Sequence, residues 1–370
     1  MKYFLLIIFS INSVLHAQNI NAFYIGHSLS DQIPDMVKSL ADDHEGVQFD
    51  WAYQGIPGAP LRWQWERKYA QDYIPNPPYY YGFYDTAGGL PTGDFDVLVL
   101  TESVPRYGEY IQETYSYADS FFRYANNYHS NIQVYLYEDW HCIKSGTPTA
   151  CDYDIDSHPW RQRITDDLPM WESVVDTLNN RYNPVNPVCL IPAAQGLARV
   201  YDSIYAGLMP GLSRLEDIFF DDIHLNDIGK YFVACVHFAT ILKTTPQGLT
   251  NQLQVSWGGD FDAPSPELAL KFQKIAWDVA TSYRKSCIDP AVSIQKNNAQ
   301  NLRIKLYPNP ANNYIYIEKL DNQLAAEITI YTPLGKKILT SKNRELNISF
   351  LSPGMYLLKS GDLIMKFIKQ

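Results

Sequence analysis

Two stretches of the chain carry residue types that could do nucleophilic chemistry. The first is Phe23-Tyr24-Ile25-Gly26-His27-Ser28-Leu29-Ser30. Residues 22–25 have β character and run into Gly26, after which Ile33, Met36, Val37, Leu40 and Ala41 recur at helical spacing. This puts Ser28 on a strand-to-helix turn at the carboxyl end of a strand. Open α/β sheets hold their ligands there, and a nearby helix N-terminus favours an oxyanion. A serine so placed is a nucleophile if a base can reach it. The second stretch, Phe219-Phe220-Asp221-Asp222-Ile223-His224-Leu225-Asn226-Asp227-Ile228-Gly229, offers that base. Asp221 can hold the imidazole Nδ1–H of His224 and leave Nε2 to take the serine proton. Gly-x-Ser is common by itself, and a lone Asp-x-x-His is ordinarily a surface pair. The two together, in the order Ser, Asp, His, are the stronger signal.

Together these motifs resemble the SGNH, or GDSL-like, hydrolase family. The resemblance implies Ser28 as nucleophile, His224 as general base and then acid, and Asp221 as the carboxylate that orients it. It also implies an oxyanion hole built from the Ser28 N–H and a glycine N–H. In Gln54-Gly55-Ile56-Pro57-Gly58-Ala59-Pro60-Leu61 that glycine is Gly58, with Gly55 in reserve. The family's third block, Gly-x-Asn after a buried strand, is altered here. Asp96-Val97-Leu98-Val99-Leu100 leads into Thr101-Glu102-Ser103. Losing one such donor costs about 10²–10³ in rate, so Thr101, Ser103 or another N–H substitutes, or the reaction is slower or different. Glu102 is a candidate substrate contact, or else a strand-end carboxylate paired with a nearby Arg.

These residues need a scaffold, and strands alternate with helical segments through the first 290 residues. Strands are expected at 22–25, 49–53, 97–100, 132–137 and 188–191, and helices at 33–42, 61–70, 112–126, 164–179, 228–242 and 266–283; 245–264 reads as irregular. That alternation argues for a parallel sheet with helices on both faces. With the family resemblance it is a three-layer α/β/α, flavodoxin-like domain. Residues 1–17 combine Lys2, an apolar run and Ala17-Gln18, and read as a cleaved signal peptide too short to span a bilayer. We expect no transmembrane segment in the mature protein.

The chain's composition changes near its end. Residues 301–370 hold ten Lys or Arg against five Asp or Glu, which leaves 20 against 35 upstream. The sign change falls in a polar stretch, and we expect a catalytic domain over 18–290, a linker over 291–300 and a small all-β sandwich over 301–370. Runs at 314–318, 326–331, 337–340, 346–350, 355–360 and 363–368 alternate with period two between turn residues. From Tyr307-Pro308-Asn309-Pro310 through Pro353-Gly354-Met355-Tyr356 to the basic end, this part resembles the C-terminal sorting domain of type IX secretion cargo in Bacteroidetes. The resemblance implies passage across the outer membrane to a secreted or surface-attached state, and the secretion machinery as partner. A sugar-binding β-sandwich is the other reading.

Aromatic residues make up 14% of the chain, with 28 Tyr and 8 Trp. Many fall in stretches expected to be loops, including Trp63-Gln64-Trp65 and the run from Tyr73 to Tyr84, and either pin those loops or line a carbohydrate cleft. The acidic balance upstream excludes nucleic acid, whose phosphates it would repel. In Tyr137-Glu138-Asp139-Trp140-His141-Cys142, after another buried strand, Glu138, Trp140 and His141 are candidate substrate contacts; no third ligand is spaced to complete a metal site. Of five cysteines, Cys142 and Cys151 are expected to form a disulfide, Cys235 to be a buried free thiol, and Cys189 and Cys287 could pair.

The reading that unites these features is a secreted serine esterase removing acyl groups, foremost acetyl, from polysaccharide, with no cofactor. The alternatives are a lipid or short-chain esterase and a non-catalytic glycan-binding protein on a hydrolase scaffold.

Overall fold

The computed structural model describes residues 18–66, 79–106, 108–144, 158–256, 258–288, 304–319, 328–332, 336–360 and 363–370. The chain divides into two compact units, through Ile294 and from Gln295 onward.

The first unit is built on five parallel strands, β1 (Gln18–Gly26), β2 (Val47–Gly55), β3 (Val97–Thr101), β4 (Gln133–Tyr137) and β5 (Cys189–Ile191), in the order β2-β1-β3-β4-β5. That order reverses direction between β1 and β3, and ligands of doubly wound sheets sit above such a switch point. Successive side chains of a strand point to opposite faces. Ala22 and Tyr24 of β1, Val97 and Val99 of β3 and Tyr135 and Tyr137 of β4 accordingly share one apolar core. Phe23, Ile25, Leu98, Leu100, Val134 and Leu136 share the other. Every residue of β3 is buried, as expected of a central parallel strand covered on both faces.

Among the described residues, seven α-helices cover those faces: α1 (Ile33–Asp42), α2 (Leu61–Glu66), α3 (Tyr110–Tyr128), α4 (Trp160–Tyr182), α5 (Ala193–Tyr205), α6 (Asp227–Leu242) and α7 (Pro266–Ser282). The apolar spacing of Ile33 to Ala41 predicts α1 to the residue. Helix α5 corrects the expectation, which had no helix between β5 and α6. Its apolar positions Leu197, Ala198, Val200 and Ile204 are buried, but they follow Pro192 and a strand too closely to stand out as a separate period. α6 is apolar nearly all round because α1 packs on one side and α7 on the other. Cys235 sits inside it as a buried free thiol.

Cys189, the first residue of β5, is bonded to Cys287 just beyond α7, with an S–S distance of 2.01 Å and a sequence separation of 98 residues. It ties the edge strand to the end of the unit. The other expected pairing involves Cys151, which lies outside the described residues, as do the expected signal peptide and linker and the end of the predicted 61–70 helix.

Among the described residues the second unit has β6 (Ile304–Tyr307), β7 (Tyr314–Lys319), β8 (Ile328–Tyr331), β9 (Lys337–Ser341), β10 (Glu345–Asn347), β11 (Gly354–Ser360) and β12 (Leu363–Lys369), which form two stacked antiparallel sheets, β10-β7-β6 and β12-β11-β8-β9. Ile315, Ile317 and Leu346 of the first share a core with Ile328, Ile330, Leu358 and Phe367 of the second. Strand β6 (Ile304–Tyr307) was not anticipated. The Tyr-Pro-Asn-Pro turn after it is clamped to β12 (Leu363–Lys369) by Asn309, which donates to the Lys366 carbonyl at 3.2 Å and accepts from the Ile368 N–H at 2.9 Å.

Candidate active site

Ser28 lies half-buried in the turn between β1 and α1. The turn is tight because Ser30 folds back over Gly26: a Cβ there would stand 2.1 Å from Ser30 Oγ. Ser30 Oγ donates to the His27 carbonyl at 2.8 Å, and Tyr53 OH lies 2.9 Å from the same oxygen. Ser30 is therefore fully buried and braces the turn, which leaves Ser28 as the serine that faces outward.

The Asp-x-x-His segment is a small hairpin before α6. Phe219 pairs with Leu225 across it, and the Phe220 N–H donates to the His224 carbonyl at 2.7 Å. Asp221 Oδ1 accepts from the N–H groups of Ile223 and His224 at 2.8 and 2.7 Å, and its Oδ2 lies 2.7 Å from His224 Nδ1. Partial burial raises the Asp221 pKa, but the bonds from His224 and Ile223 outweigh it and hold the carboxyl below its usual range. A carboxylate only accepts, so Nδ1 carries the imidazole proton and Nε2 presents its lone pair. Ser28 Oγ stands 2.9 Å from that Nε2. The structure thus brings Ser28, His224 and Asp221 into one hydrogen-bonded line from opposite ends of the unit.

Gly58 lies in the loop after β2, exposed and with a φ of 64° that favours glycine. Among the described residues its N–H has no hydrogen-bond partner. The Ile56 N–H donates to the Gly26 carbonyl at 3.1 Å, tying this loop to the end of β1 beside Ser28. Trp63 is half-buried and packs on Ile56 and Ala59 at the base of the same loop.

Four candidate substrate contacts are corrected by burial. Glu102 is 1% exposed. Its Oε1 accepts from the N–H groups of Leu61 and Ser103 and from Arg106 Nη2 at 3.1, 2.8 and 3.0 Å, and its Oε2 accepts from Thr114 Oγ1 at 2.8 Å. The Arg-paired reading is the one realised. Glu138 is fully buried and caps the start of α5, accepting from the Gln195 N–H at 3.2 Å and its Nε2 at 2.8 Å. His141 is buried with Nε2 2.6 Å from Asp167 Oδ2. Trp140 is 1% exposed, and its indole N–H donates to the Ile223 carbonyl at 2.7 Å. Of the aromatic set, Trp65, Phe83, Phe121 and Tyr124 pack edge to face and stacked with one another, Phe83 and Phe121 buried and the other two partly so.

Trp140 and Ile143 hold the hairpin that carries His224, contacts the sequence did not reveal. The Ile143 N–H also donates, at 2.7 Å, to the Asp222 carbonyl, so the segment after β4 holds two carbonyls between Asp221 and His224. Trp140→Phe removes one bond from beneath the hairpin while keeping most of the ring's bulk. We expect a stability loss of about 1–2 kcal/mol from the orphaned carbonyl and a fall in kcat of about tenfold from a looser His224. Steady-state kinetics well below the melting temperature checks this; unchanged kcat would remove Trp140 from the positioning role.

Around Ser28 the buried charges are also unusual. His27 Nε2 lies 3.2 Å from Asp139 Oδ2 and 3.3 Å from the Glu102 carbonyl. Burial works to lower the His27 pKa, but Asp139 and that carbonyl overcome it and the net shift is upward. Burial pushes Asp139 up to about 6 and Glu138 up to about 8. The folded protein therefore keeps the Glu138 proton up to about pH 8, while an unfolded chain releases it near the ordinary value of 4.5. Folding stability should fall as pH rises across that window. In Glu138→Gln, where Gln195 can turn its amide to meet the new one, the melting temperature should drop less between pH 5 and 8. Parallel melting curves for variant and wild type would refute this.

Residues 305–369 match the family described as a secretion system C-terminal sorting domain, so the chain ends in such a domain. No curated protein matches the chain. Among solved structures, a DUF4886 family protein from Bacteroides uniformis aligns at 13% identity over 72% of this chain and 96% of its own, with a TM-score of 0.51. A provisionally named SGNH hydrolase from Slackia heliotrinireducens aligns at 16% identity over 60% of this chain and 100% of its own, with a TM-score of 0.39. A two-domain esterase active on acetylated mannans aligns at 14% identity over 69% of this chain and 56% of its own, with a TM-score of 0.37. The first of these likenesses establishes the α/β fold of the first unit.

Proposed function

We propose that the first unit is a serine esterase that removes acyl groups, foremost acetyl, from exported or environmental polysaccharide. The observation that carries the reading is the Ser28–His224–Asp221 line, with Nε2 2.9 Å from Ser28 Oγ and a protonated Nδ1 facing Asp221. Ser28 Oγ attacks the ester carbonyl as His224 takes its proton, and the Ser28 and Gly58 N–H groups bind the resulting oxyanion. His224 then protonates the sugar oxygen as the C–O bond breaks. A water, deprotonated by the same nitrogen, releases the acyl group as carboxylate and regenerates Ser28.

For the third oxyanion donor we choose Ser103. Thr101 Oγ1 is wholly buried, whereas Ser103 is half-buried and its Oγ accepts from Arg106 Nη2 at 3.0 Å. That contact occupies a lone pair and leaves the Ser103 proton to donate. The polysaccharide half of the proposal rests on the C-terminal sorting domain, which fits delivery to the cell surface or beyond, and on an acidic first unit unsuited to nucleic acid. Residues 1–17 are assigned the matching inner-membrane export signal.

The test is acetate release by the full protein from a panel of acetylated plant and algal polysaccharides and from nitrophenyl acetate. Release from polymers supports the proposal and names the substrate. Release from the nitrophenyl ester alone, with rates rising along a series of longer acyl chains, would replace the polysaccharide by a lipid. Hydrolysis of none of them would overturn the esterase.

A further inference from the structure

In the first unit every described Phe is buried except Phe220, which is 82% exposed. Single exposed apolar side chains are ordinary at a surface, Val185 and Leu208 among them, so exposure alone says little of Phe220. Its place in the hairpin says more. Phe219 and Leu225 pair across the hairpin and point inward, 7% and 3% exposed. The next pair outward is Phe220 and His224, joined by the bond from the Phe220 N–H to the His224 carbonyl. Residues directly opposite in an antiparallel pair share one face, with Cβ atoms about 4.5–5.5 Å apart. The Phe220 ring therefore stands on the imidazole's side of the hairpin.

The hairpin is also braced on several sides. Asp221, Trp140 and Ile143 hold its turn, and Asn226 closes its base by donating to the Asp217 carbonyl and accepting from the Gly229 N–H at the start of α6. An aromatic side chain on such a support loses little freedom when something stacks on it. The side chains of His224 and Asp221 are themselves 39% and 46% exposed, so the flank of the triad nearest Phe220 is open to solvent.

We infer that Phe220 is the platform for the leaving group, stacking the C–H face of the sugar ring whose oxygen His224 protonates. This rests on the esterase reading above and adds to it the first contact with the alcohol side of the ester. An open flank with one flat apolar surface suits a hydrated ring that is a unit of a longer polymer. A fatty acyl chain would need an enclosed apolar groove instead.

The test compares glucose pentaacetate with ethyl acetate, two acetyl esters that differ only in the alcohol, using wild type, Phe220→Ala and Phe220→Tyr in the full chain. Phe220→Ala should lower kcat/KM for the sugar ester about tenfold through KM, the scale of one apolar contact, and leave ethyl acetate unchanged. Phe220→Tyr should restore the loss. Equal losses on both esters, or no loss on either, overturn the platform. If wild type cleaves neither ester, the esterase reading is judged by the acetate-release panel above, and sugar stacking by Phe220 is judged by gel retardation in soluble xylan, glucomannan and β-glucan. Retardation in one of them that weakens in Phe220→Ala supports it. Equal retardation of both proteins, or none, overturns it.

Discussion

Ser28→Ala is expected to remove about 10⁴–10⁶-fold of kcat on any ester the protein cleaves, while its melting temperature stays close to wild type. The stability half follows from where Ser28 sits. Its hydroxyl is half-buried and bonds to His224, itself partly exposed, and the turn that carries it is braced by Ser30, Tyr53 and His27. Removing one oxygen there disturbs no buried partner. The activity half follows from the proposed roles: without Oγ no covalent intermediate would form, and His224 would have no proton to take. Two further variants sharpen the test. His224→Ala should cost about as much, and the double variant little more than either alone, because residues acting as one unit lose their function once. Asp221→Asn should cost about 10⁴ by favouring the wrong imidazole tautomer. Additive losses, or Ser28→Ala turnover like wild type, would dismantle the triad as a mechanism.

How much of this was legible in the sequence depended on what kind of signal each residue leaves. Periodicity is local, so α1 was read to the residue, as Ile33, Met36, Val37 and Leu40 can only be one face of a helix, while the strands that bracket it were found but cut short, 22–25 against Gln18–Gly26 and 49–53 against Val47–Gly55. Motif spacing is also local, so Ser28 and the Asp221–His224 pair could be named as chemistry, although only the sheet order could bring them together. What a side chain touches across the fold leaves no such trace. Trp140 and Glu138 were placed correctly at the end of β4, at the sheet edge where ligands bind. They point into the protein because Ile223 and Gln195 are there to receive them. Conversely Phe220 sat in plain view beside Asp221 and drew no notice, since an apolar residue in a motif reads as core until its exposure is known.

Glu102 shows what such a buried residue is worth. Its carboxylate collects four donors from three places: Leu61 at the start of α2, Ser103 and Arg106 in the loop after β3, and Thr114 on α3. It directly follows β3 and precedes Ser103, and its own carbonyl lies 3.3 Å from His27 Nε2, next to Ser28 in the chain. Glu102→Ala would strip all four donors at once and leave the Arg106 guanidinium, whose side chain is 8% exposed, without its carboxylate. Breaking one side of a buried pair in this way costs about 3–5 kcal/mol, enough to show as a large drop in melting temperature. Glu102→Gln keeps the shape and one acceptor, so it should lose less stability but still release part of the hold on Arg106. If Ser103 donates to the oxyanion only because Arg106 orients it, Glu102→Gln will lower kcat with KM unmoved at temperatures where the variant is fully folded. A Glu102→Gln protein with wild-type kcat would confine Glu102 to stability, and a Glu102→Ala protein as stable as wild type would show that the four donors find water instead.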